Sequence, residues 1–220
     1  MGFSKIFLGS IASVIQLRAA LMRALLMPVA GLVLLELLAL LIQNPLVDLL
    51  AALCSLLLVV LLTVTTHRLI LLGPVAAGRW GITRWTARET SLAVHMLILA
   101  MLLWLPIVVQ FLPGIPFLGL VTLALSFWLL ARFSLVLPAI SVDRNYTFKD
   151  SWSATRTCQL QMLGVVFLMP LLFGIPVGLI SRIPFTFPIS SMLANIAGVV
   201  LVAALSIAYH ETESRQAVAG

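Results

Sequence analysis

Long runs of apolar residues, separated by short polar segments, make up most of the chain. Six of these runs are each about 20 residues long, the length that a helix needs to cross a ~30 Å hydrocarbon core. Runs such as Leu56–Leu62 do not alternate in polarity as the strands of a membrane barrel do, so helices are favoured. The predicted spans are 24–42, 46–66, 91–112, 117–137, 162–180 and 189–209.

A segment that mixes apolar and polar residues precedes each pair of spans. In 3–18 the apolar residues recur at helical spacing between polar ones. The other two segments cover about 80–90 and 148–160, and the latter opens with a capping-box pattern at Thr147 and Asp150. We expect these segments to lie in the headgroup region as amphipathic helices. The sequence therefore predicts an all-α, polytopic membrane domain of six transmembrane helices in three hairpins, each preceded by a cytoplasmic interfacial amphipathic helix.

Composition supports the membrane assignment. Of the 220 residues 62% are hydrophobic and only 9% are charged, whereas soluble domains carry roughly 25% charged residues. These values exclude a cytosolic enzyme domain, a secreted disulfide scaffold and a nucleic-acid binder. Cys54 and Cys158 are isolated in the sequence, so we expect two unpaired thiols and no metal site.

The positions of the basic residues indicate an orientation. Twelve of the 13 lie on one side, in the terminal segments, in the connections after the second and fourth spans or, for Arg132, near the end of the fourth span, and only Arg182 lies on the other side. By the positive-inside rule, both termini are then cytoplasmic. The net charge of +6 is explained by this topology and by anionic lipids at the cytoplasmic face, without nucleic acid.

Two polar residues are predicted to lie inside the membrane. Glu36 in the first span and Asn195 in the sixth are at similar depth, roughly 9 Å from the outer end of their helices. Ionisable groups at such depth are costly and are candidates for a functional role. A Glu36–Asn195 hydrogen bond would hold the first helix against the last, and a protonatable Glu36 in a transport pathway is the alternative.

Further polar and aromatic residues cluster near the cytoplasmic ends of the spans. Arg132 is close enough to the interface to snorkel, and it could also pair with Asp143 or Glu89. A lone histidine makes no metal site, so His67 is interpreted as an interfacial anchor. The candidate interface anchors are His67, Arg68, Arg88, Arg132, Asp143, Trp152 and Arg156.

The fifth span is unusual in its proline and glycine content. Pro170, Gly174 and Pro176 predict a kinked or partly unwound helix, and Gly174 with Gly178 forms a GxxxG packing signal. No nucleophile elbow, zinc motif or phosphate-binding loop occurs in the sequence. We therefore expect a protein that is not an enzyme, with no catalytic, metal-binding or cofactor-binding residue.

Several short motifs resemble a group of uncharacterised bacterial six-span inner-membrane proteins. The motifs are 67–73 (HRLILLG), 132–139 (RFSLVLPA), 148–152 (FKDSW) and 204–209 (ALSIAY). The group looks like the YciC-type family and the membrane domain joined to some glycerophosphodiester phosphodiesterases. The resemblance implies a six-helix fold in the bacterial inner membrane and a role in the envelope, and it transfers no catalytic residue.

Two functions are compatible with these patterns. The first is a non-catalytic multi-pass inner-membrane protein that acts through helix–helix contacts, in envelope homeostasis or as an accessory subunit of a larger complex. Its partners would be the bilayer, other membrane proteins or a second copy of itself. The alternative is a small transporter or lipid-handling protein that uses Glu36 and the kinked fifth helix.

Overall fold

The fold is known from a computed structural model that describes residues 2–76, 84–111, 116–183 and 186–219. These residues form helices joined by short connections. In chain order the α-helices are α1 (Phe3–Gln16), α2 (Arg18–Ile42), α3 (Pro45–Leu72), α4 (Ala87–Gln110), α5 (Pro116–Phe133), α6 (Val136–Ser141), α7 (Phe148–Ala154), α8 (Gln159–Leu163), α9 (Met169–Ile180) and α10 (Phe187–Ala219).

Six helical stretches are long and apolar enough to cross a membrane, which confirms the predicted all-α, six-span fold. They are Arg18–Ile42, Pro45–Leu72, Ala87–Val109, Phe117–Ser141, Gln159–Ile180 and Phe187–Ala217. The fourth stretch joins α5 to α6, and the fifth contains α8, a π-helical segment at Gly164–Leu168 and α9. Several helices run further than predicted, because polar residues at a membrane surface end an apolar run without ending the helix.

Local sequence explains two of the helix boundaries. At the tight turn between α2 and α3, Gln43 adopts a left-handed conformation and the side chain of Asn44 accepts a hydrogen bond from the Leu46 amide at 2.9 Å. Pro45 takes the first position of α3, where no intrahelical N–H bond is lost. In the fourth span, Pro138 cannot donate to the carbonyl of Ser134, and the helix is interrupted between α5 and α6 at that level.

The three predicted interfacial segments have different structures. Helix α1 forms as expected and packs against α10 and the π segment, burying Ile6 and Ser10. Of the predicted 80–90 helix, residues 80–83 lie outside the described residues, 84–86 are not helical, and Ala87 begins the third span directly. The predicted 148–160 helix is divided into α7, a 3₁₀ turn at Thr155–Thr157 and the start of α8.

The last helix is central to the packing. Helix α10 contacts α1, α2, α3 and α9. Ala203 and Ala204 are completely buried, and such small side chains let neighbouring helices approach closely. This arrangement determines where the polar side chains of the first two spans find their partners.

Candidate functional site

An ionic junction centred on Asp143 ties together the ends of three spans. Asp143 follows α6 with a φ of 61°, a left-handed conformation that aspartate adopts more readily than most residues. Its carboxylate accepts a hydrogen bond from Arg68 of α3 at 2.8 Å and from Arg88 of α4 at 3.0 and 3.1 Å. Three of the predicted anchors are therefore brought together, and one exposed carboxylate holds the second, third and fourth spans in position.

Glu89 extends this junction into the protein interior. Its side chain is completely buried and accepts hydrogen bonds from the Thr86 amide at 2.8 Å, from the Thr86 hydroxyl, and from Arg88 at 2.7 and 3.0 Å. The arrangement is a capping box at the start of α4. The sequence interpretation considered Glu89 only as a partner of Arg132, although the T-x-x-E spacing of Thr86 and Glu89 was a signal for this cap.

Arg132 is enclosed by aromatic side chains instead of pairing with Asp143 or Glu89 as proposed from the sequence. Its guanidinium lies 4.5 Å from the ring centroid of Trp152 and 5.7 Å from that of Trp128. It donates to the Trp152 carbonyl at 3.2 Å, while its own carbonyl accepts from Ser151 at 2.7 Å. The cation is buried because α7 lies over the end of α5. Arg132 and Trp152 thus fix α7 to the fourth span.

A separate ion pair connects the loop after α6 with the last turns of α10. Arg144 pairs with Glu213, and the rings of Tyr146 and Tyr209 meet edge to face at 5.9 Å between centroids. Burial, with a contribution from the charge of Glu213, raises the pKa of Tyr146 to about 12. Tyr146 is therefore a neutral packing residue at physiological pH.

The remaining predicted anchor of this region, Arg156, lies exposed in the 3₁₀ turn between α7 and α8.

At the start of α7, Thr147 and Asp150 form the predicted capping box. The hydrogen bonds from the side chain and backbone of Thr147 lower the pKa of Asp150. The start of α7 is therefore stabilised by an ionised carboxylate.

His67 is not an interfacial anchor, which corrects the sequence interpretation. It is completely buried, and its Nδ1 lies 2.7 Å from the hydroxyl oxygen of Ser206 in α10. The Ser206 hydroxyl is also placed to donate to the Val202 carbonyl at 3.0 Å, an arrangement that leaves it free to accept from the Nδ1–H tautomer of His67. The hydropathy pattern predicted that the second span ends at Thr66, but α3 continues beyond this residue. The rotation of α3 about its own axis directs the His67 side chain towards α10.

Glu36 does contact the last helix, but through a different residue from the one predicted. Its carboxylate accepts a hydrogen bond from Ser191, while the side chain of Asn195 donates to the Ser191 carbonyl at 2.9 Å. Ser191 is buried one helical turn before Asn195, and it faces α2. Glu36 remains exposed on the outside of the helices, so the polar group is a surface-facing triad of Glu36, Ser191 and Asn195.

The fifth span is irregular next to Pro170, one of the residues that the sequence indicated, but not at Gly174 or Pro176. The helix continues through Pro170 and Pro176, and the irregularity is the π segment that precedes Pro170. At Gly164, an added Cβ would lie 2.4 Å from the ring of Phe3. The glycine thus permits α1 to approach the π segment, a contact that the sequence did not reveal.

The described residues contain no group of three histidine, cysteine or acidic side chains that could hold a metal ion. Cys54 is exposed and Cys158 is buried, and both are free thiols. Burial raises the pKa of Cys158, which keeps this thiol protonated. The arrangement of polar groups is suited to holding helices together.

Comparisons with known proteins return no family. No protein-family model matches this chain, and no curated protein or solved structure is significantly similar to it.

Proposed function

We propose that this protein is a non-catalytic, multi-pass membrane protein that acts through helix–helix contacts as an accessory subunit of a larger membrane complex. The observation that carries the proposal is the open face of α9. Gly174 and Gly178 are both exposed, one turn apart, and apart from the adjoining backbone no atom of the described residues lies within 4 Å of the position that a Cβ would take at either residue. Glycines at this spacing allow two transmembrane helices to approach closely, and no described residue of the chain packs against this face.

The exposure of the fifth span supports the same proposal. Only 11% of the residues in its most apolar stretch are buried, against 39% in the sixth span. Large apolar side chains such as Leu171, Ile175 and Leu179 lie exposed beside the glycines. The combination of open glycines with flanking large side chains fits a transmembrane helix of a partner subunit.

The proposal places the protein in the bacterial inner membrane with both termini in the cytoplasm. Its supports are the positions of 12 of the 13 basic residues and the resemblance to the YciC-type group. The resemblance further suggests a role in envelope homeostasis.

The test is purification from native membranes in mild detergent, followed by identification of the proteins that co-migrate with the chain. The variant G174L/G178L fills the open face, and its Cβ atoms meet no other side chain among the described residues. G198L is the matched control, because Gly198 in α10 is equally free of neighbours. We expect one membrane protein to accompany the wild type and G198L in fixed ratio and to be lost from G174L/G178L. A monomeric wild type without a partner contradicts the proposal.

A transporter or lipid-handling protein that uses Glu36 and the fifth helix is the second candidate. It is favoured by the exposure of Glu36 within a span, beside Ser191, since an ionisable group in that position is costly. Under this hypothesis E36Q lowers uptake or lipid movement in reconstituted vesicles. The control D48N alters an exposed carboxylate in the first turn of α3 and leaves the rate unchanged. Equal rates for E36Q and wild type reject this candidate.

A further inference from the structure

An apolar groove of about 220 Å³ runs between α2 and α10 on the outside of the protein. It begins at Arg18, where α2 starts, and follows one face of α2 as far as Val29. The rest of its lining is Val199, Ile196 and Asn195 of α10, with Val14 of α1 beside Arg18. We call this feature the α2–α10 groove.

The length of the groove matches one leaflet of a bilayer. Arg18 and Val29 are 11 positions apart in a continuous helix, a distance of about 16 Å at 1.5 Å per residue. The hydrocarbon core is ~30 Å thick, so a single acyl chain covers about half of it. At the deep end, Asn195 directs its amide group to the Ser191 carbonyl. The groove therefore runs along α2 from its first residue to the level of Asn195, a length comparable to that of one acyl chain.

The charge at the mouth of the groove is unneutralised. Arg18 is exposed, and the ion pairs of the described residues involve Arg68, Arg88 and Arg144 but not Arg18. A guanidinium at the membrane surface attracts the phosphate of an anionic lipid. The apolar walls fit the acyl chain of the same molecule, so the two parts of the groove are complementary to the two parts of a phospholipid.

We propose that the α2–α10 groove binds an anionic phospholipid, with one acyl chain along α2 and the phosphate at Arg18. The site differs from the general lipid contact of any transmembrane surface because it is concave, has one leaflet's length and ends in a cation. It lies on different helices from the open glycine face of α9, and it does not depend on a partner subunit.

The test uses phosphatidylglycerol that carries a photoactivatable group near the end of its acyl chain, in nanodiscs that contain the purified full-length chain. Cross-linked peptides are identified by mass spectrometry, and phosphatidylcholine with the same acyl chains is the comparison lipid.

R18Q removes the cation, and R23Q is its matched control, since Arg23 is exposed on the same helix outside the groove. L26W fills the groove, and its control is M27W. Leu26 and Met27 are similarly exposed at 56% and 50%, but only Leu26 lines the groove.

We expect phosphatidylglycerol to label groove peptides of α2 and α10 in preference to phosphatidylcholine. R18Q lowers this labelling about five-fold, the effect of about one basic residue at a membrane surface. L26W lowers the labelling with either lipid, and R23Q and M27W leave it unchanged. Equal labelling by the two lipids, or the same loss in R23Q as in R18Q, overturns the anionic site. Absence of groove labelling by either lipid in the wild type overturns a phospholipid as the occupant.

Discussion

Replacing Glu89 by glutamine removes a negative charge that is completely buried at the start of α4. The carboxylate accepts four hydrogen bonds, from the amide and hydroxyl of Thr86 and from two nitrogens of Arg88. Glutamine offers one acceptor oxygen, and its NH₂ group is a donor. In E89Q a donor of Thr86 or Arg88 therefore faces another donor, so part of the cap is lost.

The expected loss of unfolding free energy depends on how exposed each carboxylate and its arginine partner are. Breaking a buried ion pair by removing one partner costs about 3–5 kcal/mol of unfolding free energy. The Arg88 side chain is 17% exposed and keeps Asp143 as a second partner, so we expect about 2–3 kcal/mol for E89Q. The Asp143 side chain is 58% exposed, and pairs of that exposure contribute about 0.2–1 kcal/mol each. D143N should therefore cost about 1 kcal/mol, well below E89Q.

The assay is a double-mutant cycle on the purified protein, with unfolding in mixed detergent micelles followed by circular dichroism. In the double variant Arg88 loses both carboxylates, so the combined loss should exceed the sum of the single losses by at least about 0.5 kcal/mol. If E89Q is no less stable than D143N, or if the two effects simply add, the assignment of Glu89 as the buried partner of Arg88 is wrong.

Three further predictions concern orientation, helix packing and pH. In a variant without Cys54 and Cys158, a single cysteine introduced at the end of α10 reacts with a membrane-impermeant reagent only from the cytoplasmic side. A single cysteine in the turn between α2 and α3 reacts only from the opposite side, and the reverse result contradicts the positive-inside assignment. We expect G164L to push Phe3 away and to detach α1, which limited proteolysis detects as faster cleavage near the N-terminus. The double variant F3A/G164L should restore resistance to the protease. If it does not, the proposed contact between Phe3 and Gly164 is wrong. The pKa of Asp150 is lowered in the folded protein, so its charged form stabilises α7 fully at pH values above the ordinary aspartate pKa. This stabilisation is lost as the pH falls through the lowered pKa. The stability difference between wild type and T147A therefore shrinks on acidification, and a difference independent of pH rules out this cap.

The spans were predictable because the bilayer imposes length and hydropathy on every helix that crosses it. Hydropathy reports where the hydrocarbon ends, however, and not where the helix ends. The second span was predicted to end at Thr66, but α3 continues to Leu72, since His67 and Arg68 are compatible with a helix that contacts other protein groups.

The partners of the polar residues were harder to predict. The depth of Glu36 could be counted along its helix, and the last span was correctly chosen as its neighbour. The rotation of α10 about its axis decides whether Ser191 or Asn195 faces α2, and a sequence with no strong amphipathic pattern does not reveal it. For His67, hydropathy could not distinguish a side chain at the headgroups from one that faces a neighbouring helix. The Asp143 junction could not be predicted, because it requires that the ends of α3, α4 and α6 lie next to each other. That proximity is a property of the whole fold and not of any local sequence pattern.

The central position of α10 has a consequence for how the protein is made. Ser206 follows His67 by 139 residues, so at ribosomal rates of 5–20 residues per second the partner of His67 is synthesised about 7–28 s after His67 itself. Glu36 likewise has no native partner until Ser191 of the same final helix has been synthesised. During this interval Glu36 and His67 of the first two spans lack their native partners. Chains interrupted before α10 are thus the form most exposed to incorrect pairing and to quality-control proteolysis.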